Sequence, residues 1–365
     1  MPGLHALRRI LNASRDAAQH GGLPVTRQFA EMLVLKLLRD LGPNYYHVAR
    51  FWRREIPFRN KWRHANEREY DELLFAINPP AYQKISQHKV TEKATLSLFG
   101  IPTPTFIGFF HQFRGADRHN LPLTCSDDLQ RVLKAMAGQR VCFKAVEGFG
   151  GLGFVALDVN SSGEMLQHPI SGQQWTVDGW AQHLLQSSAG WLLETYLTQH
   201  PDLAALNANS VNTLRIWVLE QHGKFTAHHA VLRIGRAGSQ VDNTTSGGLA
   251  VAVDIVTGCL LNGIDVRKPG KVISHNPDTG NLLTGVQLPH WNEVLRLSER
   301  ALAVFPEMRF AGVDVAITPE GPAIIELNVF PDRITAVRWD LPHKDFFEPA
   351  LRSDVATGRA SDGGK

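Results

Sequence analysis

The feature that constrains the fold most is a pair of apolar segments near the C-terminus, joined by a tight-turn sequence. The first segment covers residues 312–318, the second covers 322–328, and Pro-Glu-Gly lies between them. Proline and glycine between two β-rich segments are typical of an antiparallel hairpin. If the turn centres on Glu320, position 314 lies opposite 326 and position 312 opposite 328.

Alternation along the two strands predicts that Asp314, Glu326 and Asn328 share one face of this hairpin. The other face is predicted to be apolar, with Val313, Val315, Ile325 and Leu327. Two facing carboxylates repel each other and require a shared proton, a cationic side chain or a metal ion. Carboxylate and amide oxygens together favour Mg²⁺. An exposed polar face with its charges in water is the alternative interpretation.

Length and composition limit the class of protein. A chain of 365 residues is longer than one compact core allows, so two or three packed lobes are expected. The chain is 43% hydrophobic and 20% charged, as globular proteins are, and no apolar run approaches the roughly 20 residues of a membrane span. Cys125, Cys142 and Cys259 form no CxxC pair, and no signal-peptide pattern is present. We therefore expect a cytoplasmic protein without a membrane span.

Residues 50–68 form a basic segment with interleaved aromatic residues. Its members are Arg50, Arg53, Arg54, Arg59, Lys61, Arg63 and Arg68 among Phe51, Trp52, Phe58 and Trp62. One interpretation is a solvated helix face whose aromatic side chains dock on the main body. The other is a surface for an anionic substrate, a carrier or RNA. Because the net charge is only +3, a polyanionic partner is not required and nucleic acid is the less favoured partner.

The first hundred residues predict helices. Between positions 27 and 41, apolar residues at helical spacing predict an amphipathic helix with the stripe Phe29, Leu33, Leu37 and Leu41, widened by Met32, Leu35 and Leu38. Asn66 with Glu69 three residues later predicts the start of a second helix. Ser86 is predicted to cap a third helix, and strands begin near Thr105.

The most glycine-rich stretch of the chain is 147–153. Strand-like segments flank it on both sides, whereas Rossmann and Walker loops must open a helix. Lys144 lies at the end of the preceding apolar strand, where its charge needs an anionic partner. We predict a flexible hairpin that folds over phosphates above Lys144. An ordinary glycine-rich hairpin is the alternative.

Further motifs support a family resemblance: Lys89 ahead of Gly-Ile-Pro, the strand-like segment 191–197, and Ser-Val-Asn-Thr-Leu-Arg-Ile at 210–216. Together with the hairpin and the glycine loop, they resemble the ATP-grasp superfamily, and more narrowly its sugar-transfer-associated branch, over roughly 86–347. The resemblance implies an α+β ATP-grasp fold in which two α+β lobes clasp ATP, with an N-terminal helical extension.

The expected domains are a helical region over 1–85, a linker helix and strand over 86–135, a small lobe with the glycine lid over 136–198, a large lobe with the magnesium site over 199–350, and a flexible tail over 351–365. The N-terminal α/β domain of better-known carboxylate ligases is not visible in the sequence. Because that domain often helps to bind the acceptor, the substrate class stays open.

The resemblance also implies roles for individual residues. Nucleotide contacts are expected from Lys89, Lys144, Glu147, Gly150, Gly151, Gly153, Glu194, Tyr196, Leu197 and His200. Lys144 and Arg215 are expected to be catalytic, with Arg215 holding the transferred phosphoryl group. Asp314, Glu326 and Asn328 match the superfamily's magnesium ligands. Acceptor contacts are expected from Arg233, Asn243, Gly247 and Gly248, and Arg333 is a further candidate for an anionic acceptor.

The implied activity is an ATP-dependent ligase that uses ATP and Mg²⁺ to join a small carboxylate to an amine through an acyl-phosphate. One alternative is a kinase on the same fold that phosphorylates a hydroxyl group, such as that of a sugar. A second alternative is a nucleotide-responsive binding protein that uses the basic segment 50–68. The sequence leaves the acid, the amine and the oligomeric state open.

Overall fold

The computed structural model of the protein describes residues 2–148, 153–242, 247–265, 272–337 and 340–357. Its helices within these ranges are α1 (Pro2–Gln19), α2 (Val25–Arg39), α3 (Pro43–Val48), α4 (Phe58–Trp62), α5 (Glu67–Ile77), α6 (Pro80–Gln87), α7 (Lys89–Leu98), α8 (Ser126–Lys134), α9 (Val177–Leu184), α10 (Pro201–Leu206), α11 (Trp291–Ala303), α12 (Ile334–Val337) and α13 (His343–Thr357).

The strands within the same ranges form two antiparallel sheets. They are β1 (Phe106–Phe110), β2 (Ala116–Asp117), β3 (Arg140–Ala145), β4 (Phe154–Val159), β5 (Met165–Gln167), β6 (Gln174–Thr176), β7 (Trp191–Thr195), β8 (Thr213–Gln221), β9 (Lys224–Ile234), β10 (Leu249–Val253), β11 (Leu260–Asp265), β12 (Val272–Ile273), β13 (Phe310–Thr318) and β14 (Gly321–Asn328).

The first sheet has the order β2-β1-β7-β3-β4-β5-β6. Its inner face buries Phe143, Leu157 and Leu193 against Leu133 of α8 and Trp180 of α9. The opposite face of β3 and β7 is therefore free to carry polar side chains.

The second sheet has the order β12-β11-β10-β9-β8-β13-β14, so β14 lies at its edge. Helix α11 packs Val294 and Leu297 into the apolar core under this sheet, where Val313 of β13 and Leu327 of β14 are also buried. The polar side chains of β13 and β14 consequently lie on the face away from α11.

The hairpin of β13 and β14 has the predicted register. Gly312 pairs with Asn328 and Asp314 with Glu326, as predicted, although the turn does not centre on Glu320 but consists of Pro319 and Glu320 between the paired residues Thr318 and Gly321. This two-residue turn alone would place Asp314 opposite Ile325, so the predicted pairing depends on an irregularity in the ladder. A β-bulge follows, because Val315 pairs with Ile324. The bulge places Ile324 in the core and Ile325 beside a cleft, so the prediction that Ile325 joins the apolar face is wrong.

Helix α2 buries only part of its predicted hydrophobic stripe. Met32 and Leu35 are buried as expected, but Leu33, Leu37 and Leu38 are exposed, Leu37 by 72%. The prediction of one buried stripe through these leucines is therefore wrong. The reason lies on the inner face, where polar side chains of α2 find specific partners.

Glu31 of α2 is the centre of these partners and is only 7% exposed. Lys61 donates to Glu31 at 2.7 Å, and the Tyr46 hydroxyl donates to it at 2.9 Å. Gln28 donates to the backbone carbonyls of Ser14 and Leu23. Burial costs a polar group little when it forms hydrogen bonds, so these contacts help to determine which face of α2 points inward.

The basic segment 50–68 makes ion pairs within the chain. Arg63 contacts Asp345 and Glu348 of α13, each at 2.7 Å, and Arg53 contacts Asp340. The aromatic ring of Phe51 is buried, as the docking interpretation expects. The N-terminal helices are thereby attached to the C-terminal helix.

The capping box of α5 is present, because Asn66 accepts from the Glu69 amide and Glu69 accepts from the Asn66 amide, which confirms the predicted helix start. Helix α13 continues to Thr357, and the rest of the expected tail lies outside the described residues. A membrane crossing needs a long, uncharged apolar helix, and none of the helices in the described ranges meets that requirement.

Candidate active site

A cleft lies between the polar faces of the two sheets. The first sheet contributes residues of β3 and β7, and the second contributes residues of β9, β13 and β14. Its cavity volume is about 150 Å³. Of the residues expected at a nucleotide, Lys89, Lys144, Gly153, Glu194, Tyr196 and Leu197 line it.

The floor of the cleft is a buried cluster of two lysines and one glutamate. Strand register places Cys142 opposite Glu194, so Glu194 and Lys144 share one face. The Lys144 ammonium contacts the Glu194 carboxylate, and Lys93 of α7 lies 2.9 Å from the same carboxylate. Glu194 is 1% exposed and forms ion pairs with both lysines.

The charges of this floor stabilise one another. Burial acts to raise the pKa of Glu194, but Lys144 and Lys93 outweigh it and hold the pKa below its usual value. Burial acts in the opposite direction on Lys144, and the carboxylate of Glu194 raises the pKa of this lysine above its ordinary value. Lys144 and Glu194 are therefore both charged at neutral pH, whereas burial lowers the pKa of Lys93 although Glu194 acts against it.

Lys89 connects the glycine loop to the hairpin. It begins α7, donates to the Gly148 carbonyl at 3.1 Å, and lies 3.8 Å from the Glu326 carboxylate. Lys89 and Lys93 are four residues apart and so lie on one face of α7, a spacing that could have indicated Lys93 from the sequence.

The hairpin carboxylate Asp314 is held by two arginines. Register places Arg215 of β8 opposite Asp314, and Arg233 of β9 donates to Asp314 at 2.7 Å. Arg215 donates to both oxygens of Asp314. A Cβ atom at Gly312 would lie 2.7 Å from the Arg215 Cδ, so glycine leaves the space that this arginine occupies.

The two arginines also determine the ionisation of Asp314. Burial acts to raise the pKa of Asp314, but the guanidinium groups of Arg215 and Arg233 hold it below its usual range. Facing carboxylates can coexist through a shared proton, a cationic side chain or a metal ion, and for Asp314 the structure contains cationic side chains. The carboxylate of Glu326 is partly exposed to the cleft and accepts from the Asn328 amide at 3.3 Å.

The donor set of the hairpin suits a hard cation only with additional ligands. Within the described residues, no three His, Cys, Asp or Glu side chains lie close enough to hold a metal by themselves. Asp314, Glu326 and the amide oxygen of Asn328 are oxygen donors on one cleft wall, and Mg²⁺ normally completes its shell with water and substrate phosphates. The residues therefore fit a magnesium ion that is shared with a phosphorylated ligand.

Arg233 belongs to a second buried network beside the hairpin. The Asp242 carboxylate accepts from the Thr213 amide at 2.8 Å and lies 3.6 Å from Arg233. Burial raises the pKa of Asp242, although Arg233 and Thr213 act against it. Gln240 pairs its amide with both backbone groups of Ala156, at 2.7 and 3.2 Å, and thereby links this loop to β4.

Some residues expected at the site are not brought to the cleft. Glu147 pairs with Lys84 at 2.9 Å, and His200 caps α10 through the Asp202 amide. Arg333 lies 4.4 Å from the centre of the Tyr45 ring, against the N-terminal helices. Gly247 and Gly248 are buried outside the cleft lining. Gly150, Gly151 and Asn243 lie outside the described residues.

Besides Lys93, the sequence did not indicate Glu92, which is buried behind β14, or Thr213, which lines the cleft. Burial and the nearby Glu326 raise the pKa of Glu92 to about 8, and Glu92 is the residue before Lys93 on α7. Thr213 donates through both its amide and its hydroxyl to Asp242. Neither has a distinctive motif, because both act through contacts between segments distant in sequence.

Two antiparallel sheets, with a lysine floor facing a carboxylate hairpin across one cleft, define an ATP-grasp protein. Within this class, the chain belongs to the sugar-transfer associated ATP-grasp family, whose family model matches residues 68–338. The match begins within α5, so α1 to α4 lie outside it.

Solved structures with a similar fold were also found. N5-carboxyaminoimidazole synthase from Aspergillus clavatus is 11% identical with a TM-score of 0.41, and the alignment covers 73% of this chain and 51% of that chain. D-alanine-D-alanine ligase from Coxiella burnetii is 12% identical with a TM-score of 0.42, with 75% and 60% covered. Biotin carboxylase from Campylobacter jejuni is 12% identical with a TM-score of 0.46, with 79% and 50% covered.

The chain thus spans half to 60% of the length of these three structures. No match was found among curated proteins.

Proposed function

We propose that the protein is an ATP-dependent carboxylate–amine ligase that acts through an acyl-phosphate. The observation that carries the proposal is the convergence of Lys89 and Lys144 with Asp314 and Glu326 in one cleft, where Arg215 is bound to Asp314. Cations on one wall suit the phosphates of ATP, and oxygen donors on the other wall suit the metal ion that accompanies them.

The reaction has two balanced steps. An oxygen of the substrate carboxylate attacks the γ-phosphorus of ATP, the bond to the bridging oxygen breaks, and ADP leaves. The amine nitrogen then attacks the acyl carbon, the carbon–oxygen bond to phosphate breaks, and the nitrogen loses a proton as the amide forms. Inorganic phosphate and ADP are therefore released in equal amounts.

In this proposal the protein positions the reactants and neutralises charge. Lys144 and Lys89 bind phosphate oxygens, and the buried Glu194 holds Lys144 in place beneath them. Arg215 holds the transferred phosphoryl group, with Asp314 orienting its guanidinium. Preorganised cations of this kind contribute about 10²–10³-fold each to the rate of comparable reactions.

Asp314, Glu326 and Asn328 would hold Mg²⁺, which when bound would neutralise phosphate charge. Arg233, which contacts Asp242 and Asp314, lies on the same side of the cleft as the hairpin and would bind the carboxylate that accepts the phosphoryl group. An arginine suits a carboxylate because its N–H groups can bind both oxygens.

Hydroxylamine trapping tests the proposal. The protein is incubated with MgATP, hydroxylamine and a panel of amino acids, hydroxy acids and sugar acids, and hydroxamate, ADP and phosphate are measured. We expect at least one acid to give hydroxamate, ADP and phosphate in equal amounts. A stable phosphorylated product without released phosphate would establish the kinase alternative instead. Absence of MgADP binding by calorimetry would refute both.

A further inference from the structure

The backbone of Leu327 in the edge strand β14 has unusual partners. On one side β14 pairs with β13, but its other side has no neighbouring strand among the described residues. The Leu327 amide donates to the Glu92 carboxylate at 2.6 Å, and the Leu327 carbonyl accepts from the Ser86 hydroxyl at 2.7 Å. Two side chains thus take the place of a neighbouring strand at this residue.

Both side chains are buried and connected to each other. Ser86 and Glu92 are each 3% exposed, and the Ser86 hydroxyl lies 3.2 Å from the same Glu92 oxygen that Leu327 binds. The predicted role of Ser86 as a helix cap is wrong, because Ser86 lies within α6 and His88 caps α7. Its hydroxyl is therefore used for contact with β14.

The position of this contact matters because Leu327 lies between Glu326 and Asn328. Side chains alternate along a strand, so a rotation of the Leu327 peptide moves both neighbouring side chains on the cleft face. The bulge at Ile325 has already interrupted the regular ladder to β13 immediately before Glu326. Irregular backbone of this kind needs other contacts to keep one conformation.

We propose that Glu92 and Ser86 are positioning residues that hold Glu326 and Asn328 in the geometry for binding a metal ion. The inference rests on the proposed function, since it assigns these two residues to the same metal site. Glu92 touches neither the metal nor the substrate and acts through the backbone of β14.

Helix α7 carries Glu92 and also Lys89, which is expected to bind the nucleotide. Lys89 and Glu92 are three residues apart on α7, and they contact the Gly148 carbonyl and the Leu327 amide respectively. One turn of α7 therefore sets the spacing between the glycine loop and the metal ligands. Groups that orient metal ligands typically contribute about 10–100-fold to metal affinity.

The test measures binding of Mn²⁺, used as a paramagnetic substitute for Mg²⁺, to the full chain with ADP by electron paramagnetic resonance. We expect Glu92→Ala to weaken Mn²⁺ binding about 10–100-fold. Metal-free ADP affinity should stay within about threefold, because the lysines remain. Glu92→Gln keeps an oxygen that accepts from Leu327 and should restore most of the affinity. Ser86→Ala should have a smaller effect in the same direction.

Ser97→Ala is the matched control, since Ser97 is exposed near the end of the same helix. Mn²⁺ affinity within twofold of wild type in Glu92→Ala would overturn the inference, as would equal losses of metal-free ADP affinity and Mn²⁺ affinity. If Glu92→Ala is too unstable to measure, only Ser86→Ala and Glu92→Gln are compared with wild type. Equal Mn²⁺ affinity of Ser86→Ala and wild type would then overturn the inference. Failure of the wild type itself to bind Mn²⁺ with ADP would refute the proposed function instead.

Discussion

The hairpin of β13 and β14 and helix α2 both carry polar and apolar side chains, but the hairpin places its apolar face in the core, whereas α2 buries a glutamate beside two apolar side chains and exposes three leucines. In the hairpin, Val313 and Leu327 enter the core and Glu326 faces a cleft. In α2, Glu31 faces the interior and Leu37 faces outward. Apolar pattern therefore identifies the buried face of the hairpin and misidentifies that of the helix.

The two regions also differ in what surrounds their charges. The Glu326 side chain is 32% exposed on the cleft, whereas the Glu31 side chain is buried and enclosed by Lys61 and Tyr46. Charges that line a cleft remain available to a ligand, and enclosed charges interact only with the protein. We expect substitutions in the hairpin to change activity and substitutions in α2 to change stability.

The largest expected effect is on the enclosed pair. Glu31→Gln should lower the free energy of unfolding by about 3–5 kcal/mol, because Lys61, only 1% exposed, would keep a buried charge without its carboxylate. Urea denaturation measures this loss. ATP turnover of the folded fraction should stay unchanged. A loss below about 1 kcal/mol would mean that Glu31 does not determine how α2 docks.

The next effect is on activity. Glu326→Gln should lower Mg²⁺-dependent ATP turnover about 100-fold, because an amide is a poorer ligand for a hard cation than a carboxylate. The urea midpoint should not change, since Glu326 faces the cleft. Glu320→Gln, an exposed change in the turn of the same hairpin, is the control. Wild-type turnover in Glu326→Gln would contradict the assignment of the metal ligand.

The stability of the contact between the N-terminal helices and α13, where His64 and His343 are buried, should also depend on pH. Burial lowers the pKa of His343 to about 4, and burial with His343 nearby lowers that of His64 to about 2. Unfolded histidines bind a proton near pH 6.5, so the stabilisation is complete above this pH and is lost as pH falls toward 4. Each histidine should contribute about 1.4 kcal/mol per pH unit between these limits.

Urea denaturation at pH 7, 6 and 5 measures this slope. His343→Asn should be less stable at pH 7, because the bonds to the Ala65 amide and the Arg333 carbonyl change, yet its slope should be shallower than that of wild type. Equal slopes in the two proteins would show that His343 takes up its proton in the folded state as well.

The smallest effect is expected on the outward face of α2. Leu37→Gln should change the free energy of unfolding by no more than about 0.5 kcal/mol, because the side chain is already in water. Urea denaturation of this variant beside Glu31→Gln provides the comparison. A loss of about 2 kcal/mol or more would mean that Leu37 packs against another surface.

Several parts of the fold and site were predictable because they depend on local chemistry. The turn sequence Pro-Glu-Gly locates the hairpin, and alternation places Asp314 and Glu326 on one face, but their direct pairing also depends on the bulge. The capping box of Asn66 and Glu69 is likewise local. The bulge that turns Ile325 toward the cleft was not predictable, since no residue pattern marks it.

Contacts between distant segments account for what the sequence did not predict. Lys93 reaches Glu194 across 101 positions of the chain, and Leu327 reaches Glu92 across 235. His200 and Arg333 resembled site residues by position, yet the fold uses them at α10 and against Tyr45. The spacing of motifs along the sequence does not predict which distant segment a side chain will contact in the folded protein.

The sequence by itself determined the hairpin, the strands that flank the glycine loop and the set of residues from which a phosphate and metal site can be built. Only the tertiary structure decided that Asp314 pairs with Arg215 and Arg233, that Leu33, Leu37 and Leu38 of α2 face outward, and that Glu92 contacts β14. The physical reason is the range of the forces involved. Turn geometry and alternation act over a few residues, whereas a buried charge is stable only where the folded chain brings its partner.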